Sequence, residues 1–269
     1  MRIPFVKAHG AKNDFLLTWR KEAPPGNLPE IARAICDRHT GVGGDGWMLV
    51  TPPAGQAEQA AIQLYNSDGS IPELSGNGTR CAAALLVDRC GAGPEICIRT
   101  GAGVKTLRLL HRDGLRFKFE MNMGPAEIRS LRFDLPLTSG IRAVTLVWVG
   151  NPQCAVAVPD FNFDWRAVGA EIESHAHFPG RTNVSFWKSV DEHTIDVKFF
   201  ERGAGETMSS GTGSTGAAAA AVACGVAKSP VRVLTPAGPI DLRLEADAYL
   251  TGPAEIVAEG EFLSRRSEL

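Results

Sequence analysis

The sequence predicts an α/β chain made of two duplicated halves, and three observations carry that prediction. The stretch Tyr65 to Ala84 (YNSDGSIPELSGNGTRCAAA) returns as Phe200 to Ala219 (FERGAGETMSSGTGSTGAAA). Each copy ends in Ser-Gly-x-Gly-(Ser or Thr)-x-(Cys or Gly)-Ala-Ala-Ala, and the pivotal Ser75 and Ser210 stand 135 residues apart in a chain of 269. Each copy follows a short apolar run that reads as a strand and precedes an alanine-rich run that reads as a helix. Other landmarks recur as well: Asn66 and Glu201 share the offset of 135, while Asn13 with Asn151 and Asp45 with Asn183 share one of 138. The length suits two domains of about 130 residues, with the junction expected near residue 118. That gives an N-terminal domain of residues 1–118 and a C-terminal domain of residues 119–254.

In the first half, Ile3 to Lys7 and Phe15 to Trp19 read as strands around the turn His9 to Asp14. Apolar spacing at Leu28, Ile31, Ala32 and Ile35 predicts a helix over Leu28 to Arg38, which GVGGDG at Gly41 to Gly46 breaks. Strands are expected at Trp47–Thr51, Ala60–Tyr65, Glu95–Arg99, Val104–Leu110 and Leu115–Met121, and the helix after Ser75 is expected to stop at Gly91. In the second half, Ala143–Gly150 and Cys154–Val158 read as strands around Gly150-Asn-Pro152. Asp164 to His175 reads as a helix with Asp164 as its N-cap. Arg181 to Trp187 and Thr194 to Phe200 read as strands ahead of the helix that follows Ser210. The closing runs Val231–Thr235, Ile240–Leu244 and Ala254–Phe262 read as strands with a polar tail, SRRSEL. The last segment, about residues 255–269, is expected to complete the first domain.

Composition narrows the function classes. Hydrophobic residues make up 44% and charged residues 22%, ordinary for a soluble globular chain with a sizeable core. A net charge of −2 with no basic run argues against nucleic acid or a membrane surface as partner. The N-terminus lacks a secretion signal and no apolar run is long enough to span a bilayer, so a cytoplasmic location is expected. The six cysteines contain no C-x-x-C pair and are expected to be free core thiols, with no metal site.

The two repeated turns are the candidate site. A helix N-terminus offers unpaired N–H groups and partial positive charge, which suits a carboxylate or phosphate. Glycines on both sides of Asn77 and of Thr212 let a ligand approach the backbone. If pseudo-twofold packing brought the two helix ends face to face, Ser75 and Ser210 would flank one ligand, as inversion at a carbon requires. Each serine is otherwise an ordinary N-cap, and Asn13, Asn66, Asn151 and Asn183 are otherwise plain turn residues. Gly211 to Gly216 matches G-x-G-x-x-G, but no acid occurs between Glu206 and Asp241 to hold a ribose, so no dinucleotide cofactor is expected. Glu201-Arg202 ends a strand beside the second turn, where an arginine could meet an amino-acid carboxylate.

The motifs HGAKNDF (His9 to Phe15), DRHTGVGGDG (Asp37 to Gly46), NSDGSIPELSGNGTRC (Asn66 to Cys81), GNP (Gly150 to Pro152), TNV (Thr182 to Val184) and ERGAGET with GTG (Glu201 to Gly213) strongly resemble diaminopimelate epimerase. The resemblance implies two pseudo-symmetric α/β domains, each a mixed sheet or barrel wrapped around a central helix, with the active site in the cleft between them. It also implies cofactor-free epimerisation of LL- to meso-diaminopimelate in lysine and cell-wall precursor synthesis, and allows a homodimer. In that family two cysteines flank the substrate α-carbon. Here Ser75 and Ser210 stand at those positions, and Gln153 stands where the family has His. The substrate-holding positions carry over as Asn13, Asn66, Gly76, Asn77, Gly78, Asn151, Asn183, Glu201, Arg202, Gly211 and Thr212.

Serine needs a neighbouring base to act as a proton shuttle, and Glu73, Glu201 and Glu206 are the candidate acids, with Glu201 taken as catalytic beside Ser75 and Ser210. Three readings stay open: an amino-acid epimerase with assisted serines or as a Cys-to-Ser variant, a related isomerase or lyase with other proton-transfer residues, and a silent amino-acid-binding paralogue.

Overall fold

The computed structural model describes residues 2–55 and 59–263. The expected polar tail, and the end of the expected 255–269 strand from residue 264 on, lie outside them. The chain divides into two compact units, one of Met1–Met121 with Gly252–Leu269 and one of Asn122–Thr251.

The first unit opens with a hairpin, β1 (Arg2–Gly10) and β2 (Asn13–Trp19). Its two turn residues, Ala11 and Lys12, both have positive φ, 51° and 60°, the backbone of a type I′ turn that matches strand twist. That turn fixes Gly10 opposite Asn13. The chain continues through α1 (Leu28–Cys36), β3 (Gly46–Thr51), β4 (Ala60–Asn66), α2 (Gly76–Cys90), β5 (Glu95–Thr100), β6 (Gly103–Asp113) and β7 (Arg116–Gly124). β2 runs parallel to β3, and β4 parallel to β5, so α1 and α2 are the crossovers of two βαβ units. α1 is amphipathic and lays Ile31, Ala32, Ile35 and Cys36 over Trp47, Leu49 and Tyr65. α2 has no exposed stripe: every residue from Gly76 to Val87 is buried. A helix covered on all sides needs small side chains where strands approach, and the glycine and alanine run supplies them.

The second unit repeats this order with β8 (Glu127–Leu137), β9 (Gly140–Trp148), β10 (Pro152–Ala157), α3 (Trp165–Glu173), β11 (Asn183–Asp191), β12 (Thr194–Glu201), β13 (Gly205–Thr207), α4 (Gly211–Ala223), β14 (Val231–Thr235), β15 (Gly238–Leu244) and β16 (Ala248–Leu263). β10 is parallel to β11 and β12 to β14, so α3 and α4 repeat the roles of α1 and α2. α4 is buried from Gly211 to Ala221 and is wrapped by β8 to β12, β14 and β15. The far end of β16 pairs with β1, from Arg2 opposite Leu263 to His9 opposite Glu255, and β16 also pairs with β7. Eight strands, β1 to β7 and β16, therefore close around α2. The mixed sheet wrapped on a central helix that the family resemblance implies is the architecture of the first unit, and the second repeats its parallel pairings around α4.

Several expectations need correction. β8 was not foreseen, because most of its residues are exposed and its charges, Glu127, Arg129, Arg132 and Asp134, hide the alternation. β13 is three residues long and carries no periodic signal, β16 begins six residues earlier than expected, and α1 ends at Cys36 rather than Arg38. Cys36, Cys81 and Cys154 are core thiols, but Cys90 and Cys224 are exposed. Burial pushes the Cys36 and Cys81 thiols up to about 12, and Cys154 is raised by the same cause. Among the described residues, no helix is long and apolar enough to cross a membrane.

Candidate active site

Both serines are helix N-caps in extended backbone. Ser75 Oγ accepts a hydrogen bond from Gly78 N at 3.1 Å, and Ser210 Oγ accepts one from Gly213 N at 3.1 Å. Beyond that shared geometry the two settings differ.

In the second unit, Ser210 is buried and its Oγ donates to Glu201 Oε2 at 2.7 Å. The other oxygen, Oε1, accepts from Thr207 Oγ1 at 2.6 Å. The short hairpin of β12 and β13 makes this possible: Glu201 ends β12, Gly205 pairs opposite it, and Thr207 returns beside it. Of the candidate acids, Glu201 is the one that Ser210 meets with a hydrogen bond. Glu206 turns away to Arg166, at 2.5 and 2.9 Å. Glu73 is exposed and lines, with Ser75, Gln63 and Arg99, a hollow of about 210 Å³.

The asparagines of this unit are held in place. Asn151 Nδ2 lies 3.5 Å from Thr212 Oγ1, and its Oδ1 accepts from Gln153 Nε2 at 2.6 Å. Asn183 donates to Pro152 O at 3.1 Å and accepts from the backbone N of Arg202 at 3.1 Å. The Arg202 guanidinium donates to Gly180 O at 3.2 Å. Gln153 packs against α4 at Gly216, where an added Cβ would sit 3.0 Å from Gln153 Cβ. Its Oε1 is buried with no hydrogen-bond partner among the described residues.

In the first unit a continuous network stands behind α2. Arg80 is fully buried, and its guanidinium donates to Asn77 Oδ1 at 2.6 Å, Gly76 O at 3.2 Å and Pro253 O at 3.1 Å. Asn77 Nδ2 donates to Asn13 Oδ1 at 3.2 Å, and Asn13 Nδ2 to Asp45 Oδ2 at 2.7 Å. Arg38 then joins Asp45 and Asp14 at 2.8 and 2.6 Å, with Lys7 3.0 Å from Asp14. Burial pushes the Arg80 guanidinium down to about 10, which leaves it a cation at neutral pH. For Asp14 burial acts upward, but hydrogen bonds from Arg38 and Lys7 outweigh it and hold the carboxyl below its usual value. Gly76 and Gly78 are buried in the first turn of α2, as Gly211 and Thr212 are in α4. Asn66 is directed at Ser70 Oγ, 2.9 Å away.

Sequence reasoning missed Arg80 and Thr207 as parts of the site and used Asp45 only as a landmark. Arg80 had a signal: an arginine inside an alanine-rich buried helix must find acceptors. Thr207 had none, because its role depends on the β12 and β13 hairpin.

The fold defines the class first. A hydroxyproline epimerase from Agrobacterium vitis, solved with bound trans-4-hydroxy-L-proline, superposes with a TM-score of 0.77 at 16% identity, covering 99% of this chain and 94% of that one. The likeness is one of fold. The model of the family described as diaminopimelate epimerase matches residues 5–129 and 145–257. The diaminopimelate epimerase of Pelotomaculum thermopropionicum is 35% identical over 278 residues, 96% of this chain and 98% of its own length. That of Azoarcus sp. is 36% identical over 277 residues, 97% of this chain and 99% of its own. The chain belongs to the diaminopimelate epimerase family, a family of isomerases.

Proposed function

We propose that the chain is a cofactor-free amino-acid α-epimerase that interconverts LL- and meso-diaminopimelate, with Ser210 backed by Glu201 as its working acid–base group. The observation that carries the reading is the 2.7 Å hydrogen bond from Ser210 Oγ to Glu201, at the start of α4, in a chain of this family. Helix N-termini favour a carboxylate through their N–H groups and partial charge, so Gly76, Asn77, Gly211 and Thr212 are assigned to the substrate's α-carboxylate. Asn13, Asn66, Gly78, Asn151, Asn183 and Arg202 are assigned to its remaining polar groups, which is the pattern the family implies.

The energetics explain why the carboxylate matters. A thiol ionises near 8.5, whereas a serine hydroxyl lies nearer water's 15.7. An unassisted alkoxide therefore costs about 7 to 10 kcal/mol more than a thiolate, at about 1.36 kcal/mol per pKa unit. Passing the proton on to a carboxylate avoids a free alkoxide altogether.

The test is to incubate the native chain with LL- and meso-diaminopimelate in D₂O and follow α-deuteration and isomer composition. Slow incorporation is expected, with Ser75→Cys plus Ser210→Cys speeding it. Binding by calorimetry without exchange in either form would instead identify a silent binding protein. Exchange confined to another amino acid would move the substrate assignment.

A further inference from the structure

Inversion through two groups requires each of them to serve as base in one direction and as acid in the other. The two halves are not equipped alike for that. Ser210 Oγ donates to Glu201 Oε2 at 2.7 Å while Thr207 holds the opposite carboxylate oxygen at 2.6 Å. Ser75 Oγ accepts from Gly78 N, and among the described residues no carboxylate hydrogen-bonds to it. The residue that repeats Glu201 in the first half is Asn66, a neutral amide directed at Ser70. An amide cannot take a proton at neutral pH.

We infer that the chain is a one-sided catalyst, in which Ser210 and Glu201 remove and return the α-proton from a single face, so that hydrogen exchange at one configuration outruns inversion. The inference rests on the proposed amino-acid epimerase reading and adds a direction to it. The Cα–H bond breaks and its electron pair stays on the substrate, delocalised into the α-carboxylate. The proton passes to Ser210 Oγ as the Ser210 hydroxyl proton passes to Glu201 Oε2. Solvent then exchanges the Ser210 hydroxyl proton, and in the reverse relay Ser210 returns deuterium to the α-carbon from the same face as Glu201 passes its own proton back to the Ser210 oxygen. Among the described residues no carboxylate accepts a hydrogen bond from Ser75, so Ser75 gives up its proton only by becoming an alkoxide without a relay partner, and inversion lags.

The experiment uses the native chain with LL- and with meso-diaminopimelate in D₂O, reading deuterium in the recovered starting isomer by mass spectrometry and inversion by chiral chromatography. Deuterium is expected to accumulate in one of the two recovered starting isomers at least about tenfold faster than that isomer inverts. Glu201→Gln should lower exchange by about 100-fold or more, with unchanged thermal unfolding and retained ligand binding showing that the fold survives. Ser75→Cys should raise the ratio of inversion to exchange by about tenfold or more, because a thiol regenerates its charged form near neutral pH. Equal rates of exchange and inversion, similar exchange from both isomers, or an inert Glu201→Gln change would each overturn the inference while leaving the epimerase reading intact. Absence of exchange from both the native chain and the Ser75→Cys, Ser210→Cys variant would overturn the epimerase reading and this inference with it.

Discussion

The two copies of the serine turn share a helix start and differ in what stands behind it. Behind Ser75 is a chain of amides and charges from Arg80 through Asn77, Asn13 and Asp45 to Arg38. Behind Ser210 is one carboxylate, Glu201, steadied by a threonine. The residue that repeats Arg80 is Thr215, whose hydroxyl merely bonds back to Gly211 O at 2.8 Å. Duplication has thus kept the backbone turn and changed what supports it: a guanidinium-anchored network in the first half, and in the second a carboxylate to which proton transfer is assigned as a proposal.

The largest effect that would sharpen this contrast comes from thiols. Ser75→Cys with Ser210→Cys should raise epimerisation at least about 100-fold, since a thiolate forms far more readily than an alkoxide. Most of that gain should come from Ser75→Cys, because Ser210 already has Glu201; a gain carried wholly by Ser210→Cys would break the comparison. Next is stability. Arg80→Ala should cost about 3–5 kcal/mol in urea unfolding, because it empties a packed site and removes the guanidinium from the buried Asn77 Oδ1 and Gly76 O. Thr215→Ala should cost at most about 1 kcal/mol, and equal losses would show that the first half does not depend on its guanidinium.

A smaller effect separates the two glycines under the serines. A Cβ at Gly213 would meet Ser210 Cβ, Ser210 Oγ and Phe199 Cδ1, all at 2.9 Å, whereas one at Gly78 would meet the movable Met48 methyl at 2.7 Å and Ser75 Oγ only at 3.2 Å. Gly213→Ala is expected to lower kcat about tenfold and Gly78→Ala about twofold, as displacement of a reacting group costs rate steeply. The smallest effect is acid sensitivity. Asp14 is held below its usual value of 3.8 in the folded chain. A carboxyl with a depressed folded pKa adds stability above its unfolded pKa and loses it as pH falls through the folded one. Melting temperature should therefore drop below about pH 4 in the native chain, and Asp14→Asn should flatten that limb.

Much of this was legible in the residues because the signals are local. Ser75 and Ser210 announce helix starts, and Gly91, with φ 63°, ends α2 where a left-handed residue is needed. Asp164 caps α3 by accepting from Ala167 N, as its position suggests. The duplication was legible because offsets survive even where side chains have diverged. What could not be read is anything set by register between distant strands. Glu201 was a candidate alongside Glu73 and Glu206, and only the β12 and β13 pairing separates it from Glu206, which Arg166 draws away. The network reaching Asp45 from Arg80 crosses from α2 through the β1 and β2 turn to the start of β3, and no spacing rule connects those segments. β8 escaped because an edge strand rich in charge gives up the alternation by which strands are recognised.

The closing of the first barrel by β16 has a consequence for how the protein is made. Residues 255–263 follow the whole second half in the chain, yet they pair with β1, which precedes it, and Pro253 O accepts from Arg80 in α2. The half that is synthesised first is therefore finished last, and it must wait through translation of the whole second half with its edge strands unpaired. Nascent chains stalled short of residue 252 should offer that open seam to chaperones, while a chain released past residue 263 should not.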